Sequence, residues 1–132
     1  MDLASKSNVT ILSLDLGEKH IGLACFKPGR GVFPLKQVEF SDVYKLEEEL
    51  TTLISEYDVE VLLVGDLGLP KLPKDYAMLV DRLQSKTHVK PVVFSEYLST
   101  FQSLKDINER EGVVLSDHVQ AAVEIINDYL SS

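Results

Sequence analysis

The chain has 132 residues, of which 45% are hydrophobic and 26% are charged, the balance of an ordinary globular domain. This length predicts a single domain over residues 1–132. No run approaches the roughly 18–20 apolar residues of a membrane helix, and no signal segment is visible, so we expect a cytoplasmic protein with no membrane partner. The single cysteine, Cys25, excludes an intramolecular disulfide and a cysteine-based zinc site.

The net charge of −8 disfavours strong non-specific binding to DNA, because the phosphate backbone attracts basic proteins. The acidic residues are unevenly distributed, however. Seven of the 21 lie in residues 41–60 and six lie in residues 106–132. A site built from the other segments could be locally neutral or basic, so the total charge does not exclude a phosphate-bearing partner.

The first 40 residues contain three apolar stretches with the composition of β-strands. They cover residues 9–15, 20–26 and 32–40. Short turns join them, so they should form an antiparallel meander. Gly17 and Gly22 are predicted to allow the tight first hairpin. Apolar residues then recur at helical spacing, which predicts a helix from 43 to 57 capped by Ser41 or Asp42.

The rest of the chain alternates strands and helices. We expect a strand at 59–65, a helix at about 74–87, a strand at 91–94, a helix at 98–106, a loop at 107–115 and a helix at about 116–130. Strand–helix–strand units favour parallel pairing with right-handed crossovers. The predicted fold class is therefore α/β, in the order βββαβαβαα, with a five-stranded mixed sheet. The strands at 9–15, 59–65 and 91–94 should lie parallel in its middle, with the strands at 20–26 and 32–40 flanking one side.

Three acidic residues should meet at one edge of this sheet. Asp15 ends the first strand, Glu96 follows the fifth, and Asp117 opens the last helix. Functional groups gather beyond the carboxyl ends of parallel strands, and three hard oxygen ligands suit Mg²⁺ or Mn²⁺. Such ions can activate water for phosphodiester hydrolysis. Each residue alone also fits a turn, a solvated loop or a helix start, so topology leaves both interpretations open.

Four segments of the chain indicate its fold and function more specifically than the single acidic residues do. They are Asp15-Leu16-Gly17-Glu18-Lys19-His20-Ile21-Gly22-Leu23-Ala24, Leu63-Val64-Gly65, Ser95-Glu96-Tyr97-Leu98-Ser99-Thr100 and Asp117-His118-Val119-Gln120-Ala121-Ala122. In this order they resemble the motifs of the YqgF family of Holliday-junction-resolvase-like proteins, also described as pre-16S rRNA nucleases, which have an RNase H-like fold. The resemblance covers nearly the whole chain. It implies that Asp15, Glu96 and Asp117 are catalytic and bind Mg²⁺ or Mn²⁺.

The chain departs from the family's motifs at several positions that face the substrate. Ser95 and Tyr97 stand where the family has Asp and Arg around Glu96, while His20 replaces an Arg and Glu18 replaces a Thr. These departures leave the fold and the metal site better supported than strong nucleic-acid binding.

A few cations remain as candidate substrate-binding residues. Lys19 matches the lysine of the family's first motif, and His20 follows it. Lys71 and Lys74 come after the strand that ends at Gly65, so they could reach a phosphate near the site.

Other charged and polar residues are predicted to be solvated. Arg82 and Lys86 are four residues apart and should share an exposed helix face. Residues 47–49, three consecutive glutamates, should lie on the solvated face of their helix. His118 is predicted to point away from Asp117 and to have a surface role.

Three functions fit this sequence. The first is a metal-dependent nuclease, acting as a monomer or weak homodimer. The resemblance implies that it processes the 5′ end of pre-16S rRNA, with branched DNA as a second substrate. The second is a degenerate family member that binds nucleic acid or protein without cutting. The third is phosphotransfer from ATP, since Asp-x-Gly before a strand is similar to the first phosphate loop of actin-like ATPases. Those proteins need two such domains, which disfavours the third function.

Overall fold

The computed structural model of the protein describes residues 8–17, 19–39, 42–66, 75–95 and 117–131. These ranges contain five strands and three helices. In chain order they are β1 (Ile11–Leu16), β2 (His20–Lys27), β3 (Gly31–Glu39), α1 (Val43–Tyr57), β4 (Val61–Asp66), α2 (Asp75–Thr87), β5 (Lys90–Ser95) and α3 (Asp117–Ser131). Each lies within two residues of its predicted bounds. The helix predicted at 98–106 and the loop at 107–115 fall outside the described residues.

The strands form one mixed sheet in the order β3-β2-β1-β4-β5. β1 and β2 pair antiparallel, as do β2 and β3, which confirms the predicted meander. β1, β4 and β5 run parallel. One detail of the prediction is wrong: β5 lies at an edge of the sheet instead of in its middle, because the second crossover places it outside β4. Val93 of β5 is accordingly 66% exposed.

Side chains alternate between the two faces of the sheet, and each face has its own core. The face with Leu12, Leu14 and Leu62 is covered by α1 and α2. The face with Ile11 and Leu63 is covered by α3. The helices contribute mainly Leu46, Leu50, Leu79 and Leu83 to the first core and Ala121, Ala122, Ile125 and Ile126 to the second. The sheet is thus sandwiched between helices, and its central strands are buried on both sides. Within the described ranges, no helix is long and apolar enough to cross a membrane.

The start of α1 has the predicted cap. The Asp42 carboxylate accepts a hydrogen bond from the Tyr44 amide at 2.9 Å, which satisfies one of the unpaired donors of the first turn. The helix ends at Asp58, which adopts a left-handed conformation with φ of 55°.

A charged cluster joins α1 to α2 and corrects the prediction for residues 47–49. Glu47 is buried, and its carboxylate accepts hydrogen bonds from Arg82 and, at 3.1 Å, from Lys86. The two cations do share a partly exposed helix face, but they also contact α1. The hydrogen bond from Arg82 lowers the pKa of Glu47 below its usual range. Glu47 is buried between the two helices, whereas Glu48 is exposed. The apolar period of α1 does not predict this difference.

Candidate active site

The carboxylate of Asp15 lies at the carboxyl end of β1, in the centre of the sheet. In the strand register it stands between Gly22 of β2 and Gly65 of β4. Only 1% of Asp15 is exposed. Since neither neighbouring residue has a side chain, the next layer above the carboxylate on this face is α3.

The two glycines allow α3 to pack directly on the strands. A Cβ atom on Gly22 would lie 2.0 Å from the carbonyl carbon and oxygen of His118, and one on Gly65 would lie 2.3 Å from Cδ1 of Ile125. Ser13 Oγ also donates a hydrogen bond to the Ala122 carbonyl at 2.9 Å. The prediction that Gly22 serves the hairpin is therefore wrong: it lies inside β2, where it is needed for the close approach of a helix.

The first turn of α3 brings a histidine to Asp15. His118 Nδ1 lies 2.6 Å from Asp15 Oδ2, and 35% of the histidine side chain is exposed. The ring of His20 is nearby, with its centroid 6.4 Å from that of His118. The predicted surface role of His118 is thus wrong. The helical spacing of His118 with Ala121, Ala122 and Ile125 is the sequence signal that places it on the face toward the sheet.

The turn after Asp15 is held from the other side of the sheet by α2. The Gly17 amide donates to the His20 carbonyl at 3.0 Å, which closes the hairpin, and the Tyr76 hydroxyl donates to the Gly17 carbonyl. Burial raises the pKa of Tyr76 to about 12, and the negative charge of Asp15 adds to the rise. The phenol therefore remains a hydrogen-bond donor at neutral pH. The negative charge of Asp15 would also attract a cation placed beside it.

The other predicted site residues are only partly described. The main chain of Asp117 opens α3, next to His118. The side chain of Asp117, together with Glu96, Lys71 and Lys74, lies outside the described part of the structure. Among the side chains that are described, no three histidine, cysteine or acidic groups form a cluster that could hold a metal ion.

The remaining two candidates lie in the hairpin turn and directly after it. Lys19 is exposed in the turn between β1 and β2, and His20 is half-buried at the start of β2. The structure therefore brings together Asp15, this turn and the amino-terminal end of α3. β5 ends at the same edge of the sheet, where Ser95 pairs with Asp66.

Solved structures with this fold include two groups of resolvases. RuvC from T. thermophilus, in a structure described as a complex with Holliday junction substrate, superposes with a TM-score of 0.61 over 92% of this chain and 94% of that chain, at 12% identity. The fowlpox virus Holliday junction resolvase gives a TM-score of 0.61 over 92% of this chain and 98% of that chain, at 14% identity. The fold is therefore the RNase H-like fold of these resolvases, as predicted.

Sequence comparison identifies relatives with higher sequence identity to this chain. A protein of Aster yellows witches'-broom phytoplasma, named "Putative pre-16S rRNA nuclease", is 31% identical over 93% of this chain and 89% of its own length. Residues 9–132 match the family RuvX, described as Holliday junction resolvase. The resemblance to the YqgF family is thereby confirmed: the chain belongs to the RuvX (YqgF) family of Holliday junction resolvases.

Proposed function

We propose that the protein is a metal-dependent nuclease that processes the 5′ end of pre-16S rRNA, with branched DNA as a second substrate. It would act in the cytoplasm as a monomer or weak homodimer. The observation that carries the proposal is the buried carboxylate of Asp15, which stands at the carboxyl end of a central strand under the first turn of α3. The family and the name of the phytoplasma relative support the nuclease chemistry and the RNA substrate.

The chemistry of the proposed ligands suits a divalent cation. A carboxylate that is 99% buried is costly unless an opposite charge or hydrogen bonds offset its desolvation. In this proposal Asp15, Glu96 and Asp117 hold Mg²⁺ or Mn²⁺, which prefer oxygen ligands. When bound, such an ion activates water and stabilises the leaving oxygen of a phosphodiester. The protein's part is to hold Asp15 rigidly, through β1 below it and α3 above it.

Capture of the substrate would depend on few cations. Lys19 and His20 lie in the hairpin that follows Asp15, and Lys71 and Lys74 complete the proposed set. Arg82 and Lys86 are excluded from it, because both are engaged with Glu47 in the contact between α1 and α2. We therefore propose weak electrostatic binding of the substrate.

A cleavage assay tests this function directly. Labelled pre-16S rRNA and a synthetic Holliday junction are incubated with purified protein in Mn²⁺, in Mg²⁺ and in chelator. We expect slow cleavage of the RNA that requires metal and is lost in Asp15→Asn. The matched control is Asp81→Asn, the same substitution at an exposed position of α2, which should cleave like the wild type. Cleavage by Asp15→Asn at the wild-type rate would contradict the proposal.

The second candidate is a binding module without nuclease activity. The departures at Ser95 and Tyr97, which stand where the family has Asp and Arg around Glu96, favour it. Binding of Mn²⁺ and of RNA without cleavage under all metal and salt conditions would support this candidate over the nuclease.

A further inference from the structure

The contact between His118 and Asp15 joins residues 103 positions apart in the sequence. At 2.6 Å, the separation of Nδ1 and Oδ2 is that of a short, charge-assisted hydrogen bond. An ionised carboxylate can only accept hydrogen bonds, so with Asp15 ionised the proton of this bond is on Nδ1 of the imidazole. The Asp15 side chain is 2% exposed, and the His118 side chain is 35% exposed. The ring therefore lies between the buried carboxylate and the outside of the protein.

The position of this ring is fixed by the packing of α3. The main chain of His118 rests on Gly22, and one turn later the Ala122 carbonyl accepts the hydrogen bond from Ser13. The ring itself lies against Gly17, where a Cβ atom would stand 2.7 Å from Cε1 of His118. Any side chain at position 17 would push the ring away from Asp15. The packing of α3 on the strands therefore fixes this contact, which does not depend on a freely chosen rotamer of a surface histidine.

We propose that His118 is a positioning residue for the active site: its Nδ1–H holds the carboxylate of Asp15 in a single orientation. This inference rests on the proposed function, in which Asp15 binds a divalent cation. A ligand that is fixed before the ion arrives loses less conformational freedom on binding. Groups that orient metal ligands in this way typically contribute 10–100-fold to metal affinity.

Metal affinity of three variants tests the role of the Nδ1–H. Mn²⁺ binding is measured by calorimetry, beside thermal melts without metal. His118→Ala should weaken Mn²⁺ binding by about 10–100-fold. His118→Asn, whose amide N–H can replace the Nδ1–H, should stay near the wild-type affinity. Gln120→Ala, in the same turn of α3, is the control and should bind like the wild type. A purely structural role would lower the melting temperature of His118→Ala but leave the affinity of the folded protein unchanged, which would overturn the proposal.

A spectroscopic readout is independent of both metal and activity. In ¹⁵N-labelled protein, long-range proton–nitrogen spectra show which ring nitrogen of His118 carries a proton. We expect a proton on Nδ1 in the wild type and the ordinary Nε2–H tautomer in Asp15→Ala. An unprotonated Nδ1 in the wild type would overturn the proposal, even if His118→Ala did not fold.

The two hypotheses fail in different ways. Absence of Mn²⁺ binding by the wild type would overturn the proposed metal-dependent function and, with it, the positioning of a metal ligand. Normal Mn²⁺ binding by both the wild type and His118→Ala would overturn the positioning role alone. Equal losses in His118→Ala and His118→Asn would also contradict it, because the N–H would then not be the group that matters.

Discussion

Gly22 and Gly65 flank Asp15 on the sheet, and their lack of side chains determines how closely α3 approaches it. The two positions differ in what an added methyl group would meet. At Gly22 the obstacle is the main chain of His118, which cannot move without shifting α3. At Gly65 the obstacle is the terminal methyl of Ile125, which can rotate away.

We therefore expect Gly22→Ala to destabilise the protein by about 1–3 kcal/mol, the usual cost of overpacking a core. Gly65→Ala, the same substitution on the same face, is the matched control and should cost less. Urea unfolding measures both differences in the free energy of unfolding. Equal losses, or a larger loss in Gly65→Ala, would show that α3 does not rest on the Gly22 main chain.

The residues around Asp15 also show what the sequence reveals and what it hides. Asp15 itself could be predicted, since it ends a buried strand and begins a recognisable motif. The role of His118 is not evident from the motif, which draws its acidic residue from Asp117, whereas the small and apolar residues of α3 determine which face contacts the sheet. Extending the positions of Ala122 and Ile125 back by one turn identifies His118. Tyr76 carries no comparable signal, because its partner is a main-chain carbonyl 59 residues away.

The helices and strands were predicted well because most of them have a clear apolar period. The contacts between these elements were less predictable. The period of α1 identifies Leu46 and Leu50 as buried, but the burial of Glu47 depends on α2, which packs beside it and supplies Arg82 and Lys86. A local pattern cannot show that a charged residue will meet its counter-ions across a helix interface.

The contact between α1 and α2 should make stability depend on pH. Because the pKa of Glu47 is lowered in the folded protein, its carboxylate stabilises the fold above the ordinary glutamate pKa of about 4.3. This contribution is lost as the pH falls through the lower, folded-state value. Glu47→Gln should therefore be less stable than the wild type near neutral pH, by about 1 kcal/mol because the two cations are half-exposed.

Urea unfolding of the wild type and Glu47→Gln at neutral and acidic pH measures this effect. The difference between them should shrink toward zero in acid, where the Glu47 carboxyl is also uncharged. Glu48→Gln, one position along and exposed, is the control and should change little at any pH. A difference for Glu47→Gln that persisted unchanged in acid would mean that its charge does not contribute.

The order of the strands determines where the proposed site lies on the sheet. Parallel pairing of β1, β4 and β5 sends their carboxyl ends to one edge, and this part of the architecture could be inferred from the strand–helix–strand pattern. The position of β5 at the edge could not, because a crossover can place the next strand on either side of the sheet. With a net charge of −8, the proposed site would have to attract the phosphates of RNA through its few candidate cations.

The affinity for RNA should consequently fall with salt, but with a shallow slope. Each phosphate contact contributes about −0.7 to the slope of log K against log salt for a single strand, so the four candidate cations set a limit of about −3. Lys19→Gln should make the slope shallower by roughly 0.7, because one contact is lost. Lys45→Gln, an exposed lysine of α1, removes the same charge elsewhere and should leave the slope unchanged.

Fluorescence anisotropy with labelled precursor RNA, in an Asp15→Asn background that prevents cleavage, gives these slopes. A steeper wild-type slope, or equal changes in the two lysine variants, would mean that RNA is held by a surface other than the hairpin beside Asp15.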